Sequence, residues 1–463
     1  MNWRTRKAAV ALVAVGSALL ASACSGGGVA GGSAGEITFW TQHTTPERLA
    51  KQEAVARRFT EQTGIAVRVA PMAASDQNQA LVTGAASGNV PDVVLSSQAQ
   101  LANWAREGLL DTEVPKRVVG ALGAKTFSDQ ALKLATVDGS LAAVPSDGWG
   151  HLIVYRTDLL KQAGIAPPRT IAQVADAAER LAAGGRTGMA LGTQPGDSFT
   201  TESLEAVLLA NGCSLVEGGA IRLESTACVH GLGYFQRLAE SAGPGELNVN
   251  STRAGYLKGD AAMALFSSHI LDEIAGLDPN NPVSCPECAR DPAFLVKNTG
   301  VLTQLTGPDN PTPTQFGQTF NLAVPSGAHA EQARRFIEFL LGDGYIDSLG
   351  IATEGRIPLR TGTTDDPTKY SEAWTKLPFG ATPDSKKSLA DVYSEDIVDA
   401  VADGVGTFTR WGFGTDGAAL AGSVVAQNTL AQEIGPLESG EDPRVVAATL
   451  AARARDLQKD VSR

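Results

Sequence analysis

From Glu36 onward the chain alternates strand-forming and helix-forming segments, and that order restricts the fold more than any other feature. Glu36-Ile37-Thr38-Phe39-Trp40 is a β-prone run. Thr45 and Pro46 follow as N-cap and first-turn residues. The helix they open runs to about Gln62, with Leu49, Ala56 and Phe59 on one face and Gly64 as its stop. Ile65, Val67 and Val69 then alternate with Ala66 and Arg68, which is the period of a strand. Two strands joined through a helix make a right-handed parallel unit. The pattern repeats as a helix over 77–87, a buried strand over 91–95 and a helix over 98–107, so the spacing predicts a doubly wound α/β lobe.

A second α/β stretch follows Pro145. Leu152-Ile153-Val154-Tyr155 reads as a strand, Thr170 caps a helix carrying Ile171, Val174, Ala178 and Leu181, and 204–211 reads as another helix. Beyond about Ala254 the pattern is mostly helical. The stretch 278–313, rich in Pro, Asn and Asp, reads as a surface excursion, followed by a strand over 320–324 and an amphipathic helix over 330–341. Apolar residues are 43% of 463, enough for packed cores and two or three domains of ordinary size. Fifty acidic against 38 basic residues leave a net charge of -12. A nucleic-acid partner is excluded on that ground, because counterion release needs clustered Lys and Arg.

The first 23 residues stand apart from this fold: Arg4, Arg6 and Lys7 precede an apolar run over 8–23, the pattern of a signal peptide. As helix that run reaches only about 24 Å, short of the ~30 Å hydrocarbon core, so no membrane span is expected. Its end, Leu20-Ala21-Ser22-Ala23-Cys24, resembles a bacterial lipobox, although Ala21 stands where Leu is preferred. The resemblance implies a lipid on Cys24, with 24–35 as a Gly-rich tether; plain secretion is the alternative. Loss of Arg4, Arg6 and Lys7 takes the net charge from -12 to -15.

Export agrees with the remaining cysteines, Cys213, Cys228, Cys285 and Cys288, an even set that allows three pairings. Cys213 with Cys228 and Cys285 with Cys288 is the favoured one. Cys285-Pro286-Glu287-Cys288 lies among Asn and Pro residues and not at a strand-to-helix junction, so it reads as a loop bridge and not as a redox centre. Zinc would need two closely spaced pairs. No metal and no cofactor are expected.

Several segments, in order, resemble the solute-binding lipoproteins of bacterial ABC importers, in the maltose-binding-like carbohydrate family. They are Phe59-Thr60-Glu61-Gln62-Thr63-Gly64-Ile65, Gly88-Asn89-Val90-Pro91-Asp92-Val93-Val94, Asp138-Gly139 to Val144-Pro145, and Val154-Tyr155-Arg156-Thr157-Asp158-Leu159-Leu160. Lys258-Gly259-Asp260-Ala261-Ala262-Met263, Ala323-Val324-Pro325-Ser326-Gly327 and Thr353-Glu354-Gly355-Arg356-Ile357-Pro358 complete the set. The resemblance implies a type II periplasmic-binding-protein-like α/β fold: two doubly wound lobes joined by a three-crossing hinge, with a ligand cleft between them. Matching segments put the crossings near Pro145, Gln318 and Pro358, which gives one lobe 36–146 with 318–360 and the other 147–317 with 361–463. It also implies a monomer held outside the cytoplasm on the cell membrane by its lipid, delivering a small-molecule solute to permease subunits.

Independently of family, ligands in open α/β sheets sit beyond the carboxyl ends of strands. That rule selects Trp40, Gln42 and His43 after the first strand, Ser96 and Ser97 after the third, Asp147 and Trp149 at the first crossing, and Ser267 and Ser268 after the strand containing Met263. Carboxylates, amides and flat aromatics suit the hydroxyls and CH faces of a sugar. Arg410 and Trp411 join the set because they lie in a Gly-rich segment, 404–417, suited to a loop lining the cleft. Asp92 reads as structural, pairing with backbone donors. Some members of the resembled family bind glycerol phosphate or its diesters, for which Arg356 and Arg410 would supply charge. An exported carbohydrate-active hydrolase is the rival class. No His is followed by Glu, no Gly-Lys dipeptide exists, and the GxSxG match at 31–35 lies in the tether, where no strand holds a nucleophile. A binding protein that presents its solute to a sensor would share every motif above.

Overall fold

A computed structural model describes residues 35–380 and 386–461. The expected signal peptide, Cys24 and the expected tether as far as Ala34 lie outside these residues.

The first lobe begins as the sequence predicts. Strand β1 (Ile37–Thr41), helix α1 (Pro46–Thr63), strand β2 (Val67–Pro71), helix α2 (Ala74–Ser87), strand β3 (Val93–Ser97) and helix α3 (Gln98–Arg106) follow one another, and β1 pairs in parallel with both β2 and β3. Pro46 opens α1, although Thr45 makes no side-chain cap bond, and Gly64 closes it at φ 74°, with its N–H donating to Thr60. The turn needs that left-handed conformation, which glycine adopts without a Cβ clash. Asp92 is structural: it accepts hydrogen bonds from the backbone N–H groups of Thr38 and His329.

Strand β4 (Val144–Arg156) is far longer than the run the sequence marks. Helix α4 (Ile171–Ala182), strand β5 (Thr187–Ala190), helix α5 (Ser198–Ala210), helix α6 (Thr226–Ser241) and strand β6 (Ala261–Ser267) build the second lobe. β6 pairs antiparallel with β4 and parallel with β5. The stretch 278–313 is not all surface excursion, because Thr299–Leu302 forms strand β7 against β4. Asn310–Ala323 is a second long strand, β8, where the sequence marks only 320–324. Helix α7 (Ala330–Leu340) returns to the first lobe, and its Phe336 ring packs 5.0 Å from Phe59 and 5.4 Å from Phe39.

The sheet order is β2-β1-β3-β8-β4-β6-β5. The carboxyl end of β8 pairs with β3 and with the start of β4, while the rest of β4 pairs with β6 and β7, so the two long strands belong to both lobes. A short strand, β9 (Ile357–Pro358), lies on β4 at Gly148 and Asp147. Strand β10 (Phe408–Thr409) pairs with β8. Helix α8 (Ala418–Gln427), from the segment the sequence assigns wholly to the second lobe, packs on α3 of the first. It also meets the last helix, α9 (Pro443–Val461), which packs on α6 of the second lobe. Disulfides join Cys213 to Cys228 and Cys285 to Cys288. No helix among the described residues is long and apolar enough to cross a membrane.

Candidate functional site

The long strands meet with Gly317 opposite Gly150, Gln318 opposite Trp149 and Thr319 opposite Gly148. Their approach depends on small residues. A Cβ on Gly317 would lie 2.1 Å from Phe408 Cγ, and one on Gly150 would lie 2.9 Å from Phe408 Cε1, so the Phe408 ring rests directly on the backbone where the lobes join.

Just before β9, Arg356 turns its guanidinium onto Asp147 of β4. Nε donates to Oδ1 at 2.8 Å and Nη2 to Oδ2, while the Ser146 hydroxyl donates to Oδ2 at 2.6 Å. The third guanidinium nitrogen reaches His43 Nε2 at 2.9 Å. A guanidinium has no acceptor, so His43 accepts this bond as a neutral imidazole. Burial, reinforced by Arg356 and Arg48, pushes its pKa down to about 2.

Above this ion pair lies a cavity of about 150 Å³ lined by Gln42, His43, Asp147, Trp149, His269 and Phe320, among others. It adjoins a larger one of about 660 Å³ through Arg48, His269 and Ala352, which line both. Together they form a cleft with one wall from the start of α1 and the turn 350–356, and the other from the end of β6 and the residues after it. Trp149 is half-buried in its floor, edge-on to His269 at 5.9 Å and stacked on His151 at 5.6 Å. Ser267 lines the larger cavity. Ser268 is buried beside it and ties the two walls together, its hydroxyl donating to the Glu354 carbonyl at 2.9 Å.

The larger cavity carries charge of both signs. Arg48 pairs with Glu354 at 3.2 Å, Arg253 with Glu273 at 3.0 Å, and Lys51 and Lys386 share Glu47 at 3.3 and 3.2 Å. Burial raises the Asp272 pKa to about 8, and nearby Glu354, Glu273 and Asp278 add to the rise. Burial likewise lifts Glu273 to about 7 against the pull of Arg253.

Of the residues chosen from sequence, the structure gathers Gln42, His43, Asp147, Trp149 and Ser267 around one cleft, with Ser268 behind it. Five others lie elsewhere. Trp40 lines a shallow groove with α2, because strand alternation turns it away from Thr41 and the cleft end of β1. The Ser96 hydroxyl is buried against the Asn321 carbonyl, and Ser97 is spent as the N-cap of α3 in a capping box with Gln100. Arg410 is buried in a two-pronged pair with Glu205, stacked 4.3 Å above Phe316. Trp411 is 3% exposed and donates its indole N–H to the Cys213 carbonyl, beside a separate cavity of about 240 Å³. The sequence reading passes over Arg48, Asp272, Glu273 and Gly355. The last matters because a Cβ there would lie 2.0 Å from His269 Nε2. A sequence signal exists for the acids: Asp272 and Glu273 interrupt the apolar residues Ile270-Leu271 and Ile274, although the first turn of a helix also favours carboxylates.

Two α/β lobes sharing long strands, with a cleft walled by both, define a type II periplasmic-binding-protein fold. The chain belongs to the family described as bacterial extracellular solute-binding protein, which matches residues 54–378. It is 26% identical over 313 residues, 66% of this chain and 68% of the relative, to YcjN of Escherichia coli (strain K12), named as an ABC transporter periplasmic-binding protein. Among solved structures, the GacH receptor of Streptomyces glaucescens GLA.O, described unliganded and with acarbose, superposes with a TM-score of 0.65 at 19% identity, over 92% of this chain and 99% of that one. UgpB from Mycobacterium tuberculosis, in complex with glycerophosphocholine, superposes with a TM-score of 0.66 at 17% identity, over 92% and 98%.

Proposed function

We propose that this protein is the receptor of an ABC importer, capturing a saccharide between its lobes and delivering it to permease subunits without chemical change. The observation that carries this reading is the two-walled cleft, which sets an aromatic face, Trp149, beside the polar groups of Gln42, His43 and Ser267. Aromatic faces cover the CH surface of a sugar while amides, imidazoles and hydroxyls meet its hydroxyls. The combined volume suits a small ligand, for which sites of about 300–1,000 Å³ are usual. The name of YcjN agrees with a part in an ABC transporter, and the GacH receptor's complex with acarbose agrees with a saccharide-like solute. In this reading the lobes are 36–146 with 318–360 and 147–317 with 361–463, and a monomer stays near its permease through lipid on Cys24.

UgpB keeps a glycerophosphodiester as the second reading. It has less support, because Arg356 and Arg410, the cations the sequence offers to a phosphate, are both committed to buried carboxylates. Thermal unfolding with a panel of saccharides and glycerophosphodiesters tests the choice. A ligand at a hundred times its Kd stabilises by about 2.7 kcal/mol. The expected result is a concentration-dependent rise with at least one saccharide. Stabilisation by phosphodiesters alone, or hydrolysis of the saccharide during incubation, would overturn the reading.

A further inference from the structure

The charges lining the larger cavity pair unevenly, since Glu47 takes two lysines while Asp272 and Asp278 have no cation. Arg48 faces Glu354, Arg253 faces Glu273, and Lys51 and Lys386 face Glu47. The Asp278 carboxylate closes its own turn, accepting from Asn280 N–H and the Asn281 amide. Asp272 lines the same cavity and is only 7% exposed; its carboxylate accepts from the backbone N–H of Glu273, and among the described residues it has no ion-pair partner. Beside it, Glu273 Oε2 is buried without a partner, since Arg253 reaches only Oε1. A buried carboxylate without a counter-charge is unfavourable, so it either keeps a proton or pairs with a cation, and a cationic ligand in the cleft supplies the second route.

We propose that the solute carries a protonated amine, and that this ammonium group enters the cleft to pair with Asp272 and reach the free oxygen of Glu273. The proposal rests on the saccharide reading and narrows it to amino sugars and related aminated saccharides. An ammonium group offers three donors, enough for both carboxylates, and its charge holds Asp272 ionised where burial and the neighbouring acids otherwise favour the neutral form. The groups facing Asp272 are Glu273 on its own short helix, Glu354 on the opposite wall, Asp278 on the following loop and the Tyr393 hydroxyl. None is a cation, so the solute's ammonium group is the counter-charge that ionised Asp272 lacks among them.

Calorimetry on the full mature chain with matched ligands tests this: cellobiose beside the chitosan disaccharide, glucose beside glucosamine, and putrescine as an amine without sugar. The aminated member of a pair should bind at least tenfold more tightly, and Asp272→Asn should bring that ratio close to one. The wild-type comparison stands whether or not the variant folds. Equal affinity within both pairs, with neutral sugar bound, would overturn the amine proposal and leave the saccharide reading in place. Binding of putrescine alone would support the amine site and overturn the saccharide reading, while no binding by any amine would overturn the proposal.

Discussion

Breaking the Arg356–Asp147 pair should destabilise the protein severely, because the pair is fastened inside the molecule where the lobes join. Its side chains are 6% and 0% exposed, which sets it apart from surface pairs worth about 0–1 kcal/mol. Removing one partner of a buried pair leaves an uncompensated charge and costs about 3–5 kcal/mol. Arg356→Met leaves the Asp147 carboxylate with the Ser146 hydroxyl as its remaining side-chain donor, and Asp147→Asn leaves the guanidinium with the neutral His43 ring. Each single variant should therefore lose roughly 3–5 kcal/mol in urea unfolding at pH 7. The double variant Asp147→Leu/Arg356→Met should lose clearly less than the two singles together, since apolar replacement of a buried pair is often close to neutral. The double-mutant cycle isolates that coupling. Single losses below about 1 kcal/mol, with additive behaviour in the double variant, would refute the assignment of this pair as the buried fastening of the cleft floor.

Trp149→Ala should weaken saccharide binding by roughly ten- to a hundredfold, the range expected from about 1.5–3 kcal/mol of aromatic burial, and calorimetry beside unfolding measurements will show whether affinity falls more than stability. Gly355→Ala should displace the His269 ring from the cleft and reduce affinity, although Gly355 itself offers a ligand no side chain; unchanged binding would remove His269 from the site. Asp272 gives a pH signature. Its raised pKa of about 8 means the folded state holds a proton the unfolded chain has lost, so its contribution to stability is complete below about pH 4 and is lost as pH rises to about 8. Asp272→Asn should accordingly gain on the wild type at pH 8.5 and match it more closely at pH 4.5, and an equal difference at both pH values in denaturant unfolding would contradict this. Cys24→Ser should abolish lipid attachment detected by mass spectrometry, and a wild-type protein without lipid would remove the anchor.

The parts of the fold that were legible in sequence are those where a single period persists. β1, α1 and β2 show theirs without interruption, and Gly64 marks the stop. The long strands β4 and β8 were only partly visible because Gly148, Gly150 and Gly317 break the β pattern: the Phe408 ring crowds Gly317, the Gln318 carbonyl crowds Gly148 and the Gln315 side chain crowds Gly150, all partners distant in sequence from the glycine they crowd. The strand-end rule selects Gln42, His43, Asp147, Trp149 and Ser267, which line one cleft, because it depends on topology. It also selects Ser96 and Ser97, which do not line the cleft, their hydroxyls serving the adjacent strand and helix. Arg410 and Trp411 misled for a different reason. A Gly-rich segment suggests an open loop, but Glu205 and the Cys213 carbonyl, some two hundred positions away, draw both side chains inside.

The central claim is that the solute lies between the lobes against Trp149, His43 and His269. A crystal structure of the protein saturated with a saccharide that stabilises it tests this most directly. The expected result is ligand density in the paired cavities above the Arg356–Asp147 pair, touching the Trp149 ring. Density in the separate cavity beside Trp411, with the cleft empty, would contradict it.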